Sequence, residues 1–152
     1  MHHPHHGIGK VQSIRKRSFS GDNGTRFAKL FFERDQITVM LRENDLDEMV
    51  REPIGPSEAR QLIDHIKSWK GKTSTQWKTR ANAHQAKMEK DDPFSYAEVY
   101  KSLRKRQKED RLSAADRTHL RQTTDFLTEE LANALGKTPD QMLAKIEEAT
   151  RS

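Results

Sequence analysis

Arg51-Glu-Pro-Ile-Gly-Pro-Ser-Glu-Ala-Arg-Gln-Leu-Ile-Asp-His-Ile-Lys-Ser-Trp69 is the stretch at which this chain changes character. Its opening residues, Glu52-Pro53-Ile54-Gly55-Pro56, are rich in helix breakers and read as a linker. The remainder sets Leu62, Ile63, Ile66 and Trp69 on one side of a helix from about Ser57 to Trp69, ended by Gly71. Before this stretch the apolar residues alternate; after it they recur every three to four positions. The fold class expected is α+β in two domains, a small β domain over 1–52 and an all-α bundle of about five helices over 57–150.

Working back toward the N-terminus, Ile37, Val39 and Leu41 alternate with more polar neighbours, and Ala28, Leu30 and Phe32 alternate with Phe27, Lys29 and Phe31. Ser20-Gly21-Asp22-Asn23-Gly24 and Arg34-Asp35-Gln36 have turn composition, the Asn-Gly pair tolerating positive φ. A first strand is expected from Gly9 to Ser18, where Val11 and Ile14 fall out of phase and predict a bulge. Three or four short, bent strands suggest a Tudor- or SH3-like barrel.

Working forward, a second helix is predicted from about Gln76 to Lys90. A third opens at Asp92-Pro93, a cap followed by proline in the first turn, and buries Tyr96, Val99, Tyr100 and Leu103. A fourth starts at the capping box Ser113-Ala-Ala-Asp116 and runs through Leu120, Leu127 and Leu131 to Leu135, with Gly136 closing it. Thr138-Pro139-Asp140-Gln141 caps a fifth, burying Met142, Leu143 and Ile146. The chain shows no internal repeat and no low-complexity tract.

Composition narrows the class further. The 152 residues are 32% hydrophobic and 34% charged, enough for two thin cores and too little for a deep one. With no cysteine, disulfides and thiolate metal sites are excluded. No run of about 18 apolar residues is present, and no apolar stretch follows a basic start, so a cytoplasmic protein is expected. The net charge of +5 is unevenly spread: residues 1–54 carry +1, residues 55–121 carry +7, and residues 122–152 carry −3. The middle third is where a polyanionic partner would bind, although a solvated helical face also explains such charge.

Histidines 2, 3, 5 and 6 around Pro4 could ligate zinc, but no further ligand stands at a suitable spacing. A turn entering a strand, with Gly7 and Gly9 allowing the bend, accounts for them better. Nucleophile elbows, phosphate-binding glycine loops and zinc-protease motifs are missing. The carboxylates read as surface or turn residues, with Asp91-Asp92 at a helix start. Lys101, Arg104, Lys105 and Lys108 share the face of the third helix opposite its apolar stripe, flanked by Arg106 and Arg111, with Arg117 and Arg121 across the turn. Lys70, Lys72, Lys78 and Arg80 are expected to surround Trp77. That Trp is either a core residue or an apolar wedge that unstacks a base step beside phosphate-binding cations.

Several of these segments resemble the CarD and CdnL proteins. His2-His3-Pro4-His5-His6-Gly7-Ile8-Gly9 is similar to the family's opening valine-tyrosine-proline-histidine-histidine-glycine segment, and Gln36-Ile37-Thr38-Val39 to its third visible strand. Thr75-Gln76-Trp77 followed by Arg80 resembles the family's Asn-Trp-x-x-Arg motif. Ala97-Glu98-Val99 with Leu103, Leu112-Ser113-Ala114, and Leu127-Thr128-Glu129-Glu130-Leu131-Ala132-Asn133-Ala134-Leu135-Gly136 follow in order and spacing. The likeness covers nearly the whole chain.

The resemblance implies a Tudor-like domain that binds the RNA polymerase β subunit and a helical domain on promoter DNA, without an enzymatic step, cofactor, metal, small-molecule substrate or membrane. A monomer in the bacterial cytoplasm, associated with the nucleoid, is implied as well. Trp77 aligns with the wedge at the upstream edge of the transcription bubble. Lys105, Arg106 and Arg117 align with positions facing the DNA backbone, and Lys78 and Arg80 border the wedge. Arg17 aligns with a polymerase-contacting Arg, while Met40 replaces another. Relatives open with a Val-Gly-Asp-containing strand, whereas this chain starts almost at the histidines; either its start is shortened or its barrel lacks a strand and exposes an edge. Two rival readings are a protein-interaction adaptor without DNA contact and a metal-responsive factor using the histidines.

Overall fold

The computed structural model describes residues 2–3, 7–17, 25–32, 34–42, 51–71 and 74–151, with the backbone alone for 3, 10–17, 25–28 and 40–42. The Asn23-Gly24 turn, the Pro4-His5-His6 segment and Lys72 lie outside these residues. The chain divides into two units, Met1–Pro53 and Ile54–Ser152.

In the first unit, β3 (Lys10–Arg17), β4 (Thr25–Phe32) and β5 (Ile37–Arg42) form an antiparallel sheet in that order. The β3–β4 register shifts between Val11 and Ser13, at the place where the apolar phase of the sequence breaks. Period-two patterning holds in β4: Leu30 and Phe32 are fully buried, Lys29 before them is exposed and Phe31 between them is half-buried. Ile37 departs from its inward reading and is 38% exposed. It opens β5 immediately after the Arg34–Gln36 turn, so no preceding strand residue covers it. Gln36 takes φ 53° in that turn.

β1 (His2–His3) and β2 (Gly7–Ile8) pair antiparallel, and His2 also bridges Arg51 through two backbone hydrogen bonds of 2.6 and 3.0 Å. The two glycines serve different ends. Gly7 bends the chain at φ 75°, whereas Gly9 admits the Phe32 ring, which a Cβ would meet at 2.5 Å. Among the described residues, no group of His, Asp and Glu is arranged to hold a metal ion.

Five helices are described in the second unit: α1 (Pro56–Ser68), α2 (Trp77–Glu89), α3 (Pro93–Glu109), α4 (Ala114–Leu135) and α5 (Pro139–Thr150). Their ends follow the capping chemistry. The Asp92 side chain accepts from Phe94 N with Pro93 in the first turn, Ser113 and Asp116 complete a capping box, and so do Thr138 and Gln141. Gly136 closes α4 in the left-handed region at φ 64°. Asp91 departs from the capping role: it adopts φ 47° and accepts the Tyr96 hydroxyl. α1 ends before Gly71, because Trp69 turns extended; Gly71 then lies so close to the Trp69 ring that an added Cβ would collide with it.

One cluster joins Leu62, Ile66, Tyr96, Leu127, Leu131 and Ile146 from four helices, and a smaller one joins Val99, Leu103 and Leu112. Charge contributes locally. Glu98 on α3 accepts from Lys87 at 3.0 Å and pairs with His65 at 2.9 Å, tying α1 and α2 to α3. Burial alone would raise the Glu98 carboxyl, but these two partners hold it below the ordinary value. The Glu130 carboxylate is also buried and accepts the Ile54 N–H at 3.0 Å, which corrects the expectation that carboxylates stay on the surface. No helix among the described residues is long and apolar enough to cross a membrane. Leu103→Ala should cost about 2–5 kcal/mol through lost transfer energy and a residual cavity, read as a lower urea midpoint by far-UV circular dichroism.

Candidate nucleic-acid interface

α2 lacks an apolar stripe; the side chains it buries are Arg80, His84 and Met88, at i, i+4 and i+8. A helix with so polar a buried face must be held by specific partners. Arg80 Nε lies 3.0 and 3.2 Å from the two Asp116 carboxylate oxygens, and Nη2 lies 2.6 Å from Oδ2. Nη1 donates to the carbonyls of Ser74 and Thr75 at 3.0 and 3.3 Å. The two side chains are 2% and 0% exposed. Arg80 is therefore corrected from a DNA-facing cation to an internal anchor: its donors are consumed by Asp116 and by the loop that leads into α2.

Asp116 serves two helices at once. Its Oδ2 accepts the Ser113 N–H at 3.3 Å, capping α4, while the same carboxylate receives Arg80. Burial pushes this carboxyl up, but the Arg80 and Ser113 hydrogen bonds outweigh burial and hold it below the usual carboxylate range.

The anchor fixes what precedes it by one turn. Trp77 is the first residue of α2 and is 53% exposed, so its indole is not a core residue. Lys78 Nζ stands 5.6 Å from the ring centroid, within cation–π range. Gln76 caps α2 without a side-chain hydrogen bond, and no acidic residue occupies the first turn. The amide end of the helix therefore keeps its affinity for anions. A cleft of about 510 Å³ opens beside the indole, lined by Thr75, Trp77, Arg80, Arg106, Arg111 and residues 112–115. Exposed Arg117 donates to the Leu112 carbonyl at 2.9 Å, alongside this cleft. Arg106 also approaches Asp110 at 3.7 Å, one turn along α3.

The four α3 cations expected on one face, Lys101, Arg104, Lys105 and Lys108, line one cavity, but their flanking arginines do not. Arg106 and Arg111 join Trp77, whereas Lys105 lies with Lys70, Lys101, Arg104 and Lys108 in a separate cavity. Adjacent residues of a helix point about 100° apart, which sends Lys105 and Arg106 to different faces. Lys70 likewise leaves the expected Trp77 group. In the first unit, Arg17 ends β3 opposite Thr25, and Met40 sits in β5 opposite Lys29; their side chains lie outside the described residues.

Sequence reading missed the partner of Asp116, which it took for a cap alone. The signal was the four-residue spacing of Arg80, His84 and Met88, unremarkable by hydropathy but a single helical face. His84 is buried with neither ring nitrogen hydrogen-bonded, and its ring lies edge-on to His119, centroids 6.2 Å apart. His119 in turn contacts Gln85 at 3.1 Å. Burial, then the neighbouring His119, lowers the His84 pKa from 6.5 to about 4.

Two outcomes are expected from this packing. Arg80→Ala leaves the Asp116 charge buried without its partner and should destabilise the helical unit by about 3–5 kcal/mol, measured by chemical denaturation; Asp116→Ala should fall in the same range, with strong coupling in the double-mutant cycle. For His84, the unfolded chain takes up a proton below pH 6.5 while the folded chain refuses it until about pH 4. Stability should therefore fall across that window by up to about 3 kcal/mol, and His84→Leu should flatten this part of the pH profile of the melting temperature.

The sequence model of a family described as "CarD, C-terminal domain" matches residues 61–147. That span runs from within α1 to near the end of α5 and contains Trp77, the Arg80–Asp116 pair and every residue lining the two basic cavities except Thr150. More than half of the chain is covered, and the chain belongs to the CarD family of transcription regulators.

Proposed function

We propose that this protein is a non-enzymatic regulator that binds the RNA polymerase β subunit through its N-terminal unit and promoter DNA through its helical unit, favouring the open complex. The observation that carries the reading is an exposed indole, rigidly based, at the mouth of a cationic cleft. Folding gains little from leaving a ring of this size in water; burying about 150–250 Å² of it against an unstacked base step is a better use. Lys78, Arg106 and Arg117 would take adjacent phosphates, and the uncapped start of α2 would add its amide dipole. Lys105 would reach the backbone only from the other face of α3. The N-terminal strands, as a Tudor-like barrel, would hold the polymerase, with Arg17 at the contact and Met40 in place of a second cation.

The mechanism needs no covalent step. A protein that prefers the melted junction to closed duplex shifts the equilibrium by the ratio of its two affinities, and the ring supplies that difference because it finds a base face only after unstacking. The adaptor alternative is separated by salt. Phosphate contacts predict affinity falling steeply between about 50 and 200 mM salt, whereas apolar docking predicts little change.

Trp77→Ala should leave the denaturation midpoint within about 0.5 kcal/mol of wild type, as expected for an exposed site. In a fluorescent promoter-melting assay with polymerase it should lose the gain in open complex; a large drop in stability would instead make the ring structural. Arg17→Glu should reduce co-purification with isolated β-subunit fragments while the melting of the helical unit stays unchanged.

A further inference from the structure

Away from the Trp77 cleft, a second cavity of about 340 Å³ is lined by Trp69, Lys70, Gly71, Lys101, Ser102, Arg104, Lys105, Lys108 and Thr150. It shares no lining residue with the first. Among the described residues that line it, five are cationic and none is acidic. Such crowding is unfavourable in an isolated protein. Lys101 shows it: burial, then the charge of Lys70, lowers its pKa, and its ammonium turns to the Lys67 carbonyl at the end of α1. Concave walls concentrate the positive potential, and an anion of matching charge would relieve it.

We infer that this cavity is a binding site for a compact polyphosphate anion, a phosphorylated small molecule carrying two or three phosphoryl groups. The charge balance favours that size. A terminal phosphate carries about −1.5 to −2 at neutral pH, so a single one leaves most of the five cations uncompensated, while two or three approach neutrality. The volume also falls within the range of roughly 300–1,000 Å³ typical of small-molecule sites. The ligand groups come from α3 and the turn after α1: Lys101, Arg104, Lys105 and Lys108 from successive turns of α3 and Lys70 from beyond α1, while Thr150, whose hydroxyl donates to the Glu147 carbonyl at 2.7 Å, only walls the site. Arg104 offers a planar fork for two phosphate oxygens and the lysines offer point charges. Trp69 walls the site, with Gly71 against its ring edge and Lys87 Nζ 5.1 Å from its centroid. Its fluorescence should respond to an anion entering.

The test is calorimetric titration of the full chain with sodium tripolyphosphate at low salt, with Trp69 emission followed in parallel in a Trp77→Phe background. Saturable one-to-one binding with a change in Trp69 emission is expected. The pair Lys101→Gln and Lys108→Gln should weaken it at least about tenfold, since each removes a charge-assisted contact, while the circular dichroism melt stays the same. No saturable heat, or affinity unchanged by the paired substitution, would overturn the inference. A second arm uses a short DNA duplex: if the paired substitution weakens the duplex and tripolyphosphate does not bind, the cavity is a DNA-backbone surface and no small-molecule site.

Discussion

A charge pair sealed from water between α2 and α4 is the constraint on which the helical unit's working surface rests. Burying an arginine and an aspartate is costly, and an apolar pair of the same volume would often be at least as stable. What the ion pair adds is direction. The guanidinium fork fixes Arg80 against one carboxylate, that carboxylate is fixed by the Ser113 cap, and the fork's remaining edge fixes the carbonyls of Ser74 and Thr75. One salt bridge thereby sets the approach of the chain into α2, the angle of the helix, and the place from which Trp77 projects. A hydrophobic contact would have bound α2 with less control over its rotation and register.

This arrangement also explains why a bulky aromatic can stay in solvent without loosening the helix that bears it. The energetic tasks are separated: α1, α3, α4 and α5 share an apolar core, while α2 contributes mainly Met88 to it. Trp77 is free for a partner because nothing in the core depends on it. Its neighbours complete the chemistry, with cations from α3 and the α3–α4 turn reaching the same cleft.

Much of the fold was legible because its signals are local. Asp92-Pro93, Ser113 to Asp116, Gly136 and Thr138 to Gln141 mark helix ends through hydrogen bonds made within three residues, and sequence displays those directly. The stripe Tyr96, Val99, Tyr100, Leu103 was equally plain, as was the phase break at Val11. The site was only half legible. That Trp77 stands among cations could be read, but Arg80 looked like one more of them. Its burial depends on Asp116, thirty-six residues away, and pairing across such a distance leaves no mark on local charge. The basic face of α3 was legible, since Lys101, Arg104, Lys105 and Lys108 do border one cavity; what local charge did not show is that the flanking Arg106 and Arg111 turn to the other. Ile37 shows the reverse error, an alternation that is real in sequence but ends at a turn.

The polar underside of α2 has a kinetic corollary. Detaching this helix exposes little oily surface, so the solvent penalty that keeps other segments shut is small here; what resists is electrostatic and directional, and it lapses together once the pair separates. α2 is thus suited to lift as a unit while its neighbours stay folded, its amides trading deuterium ahead of those of α4. A partner that seats the indole would then be felt as slowed exchange along the whole helix, far beyond the atoms it touches.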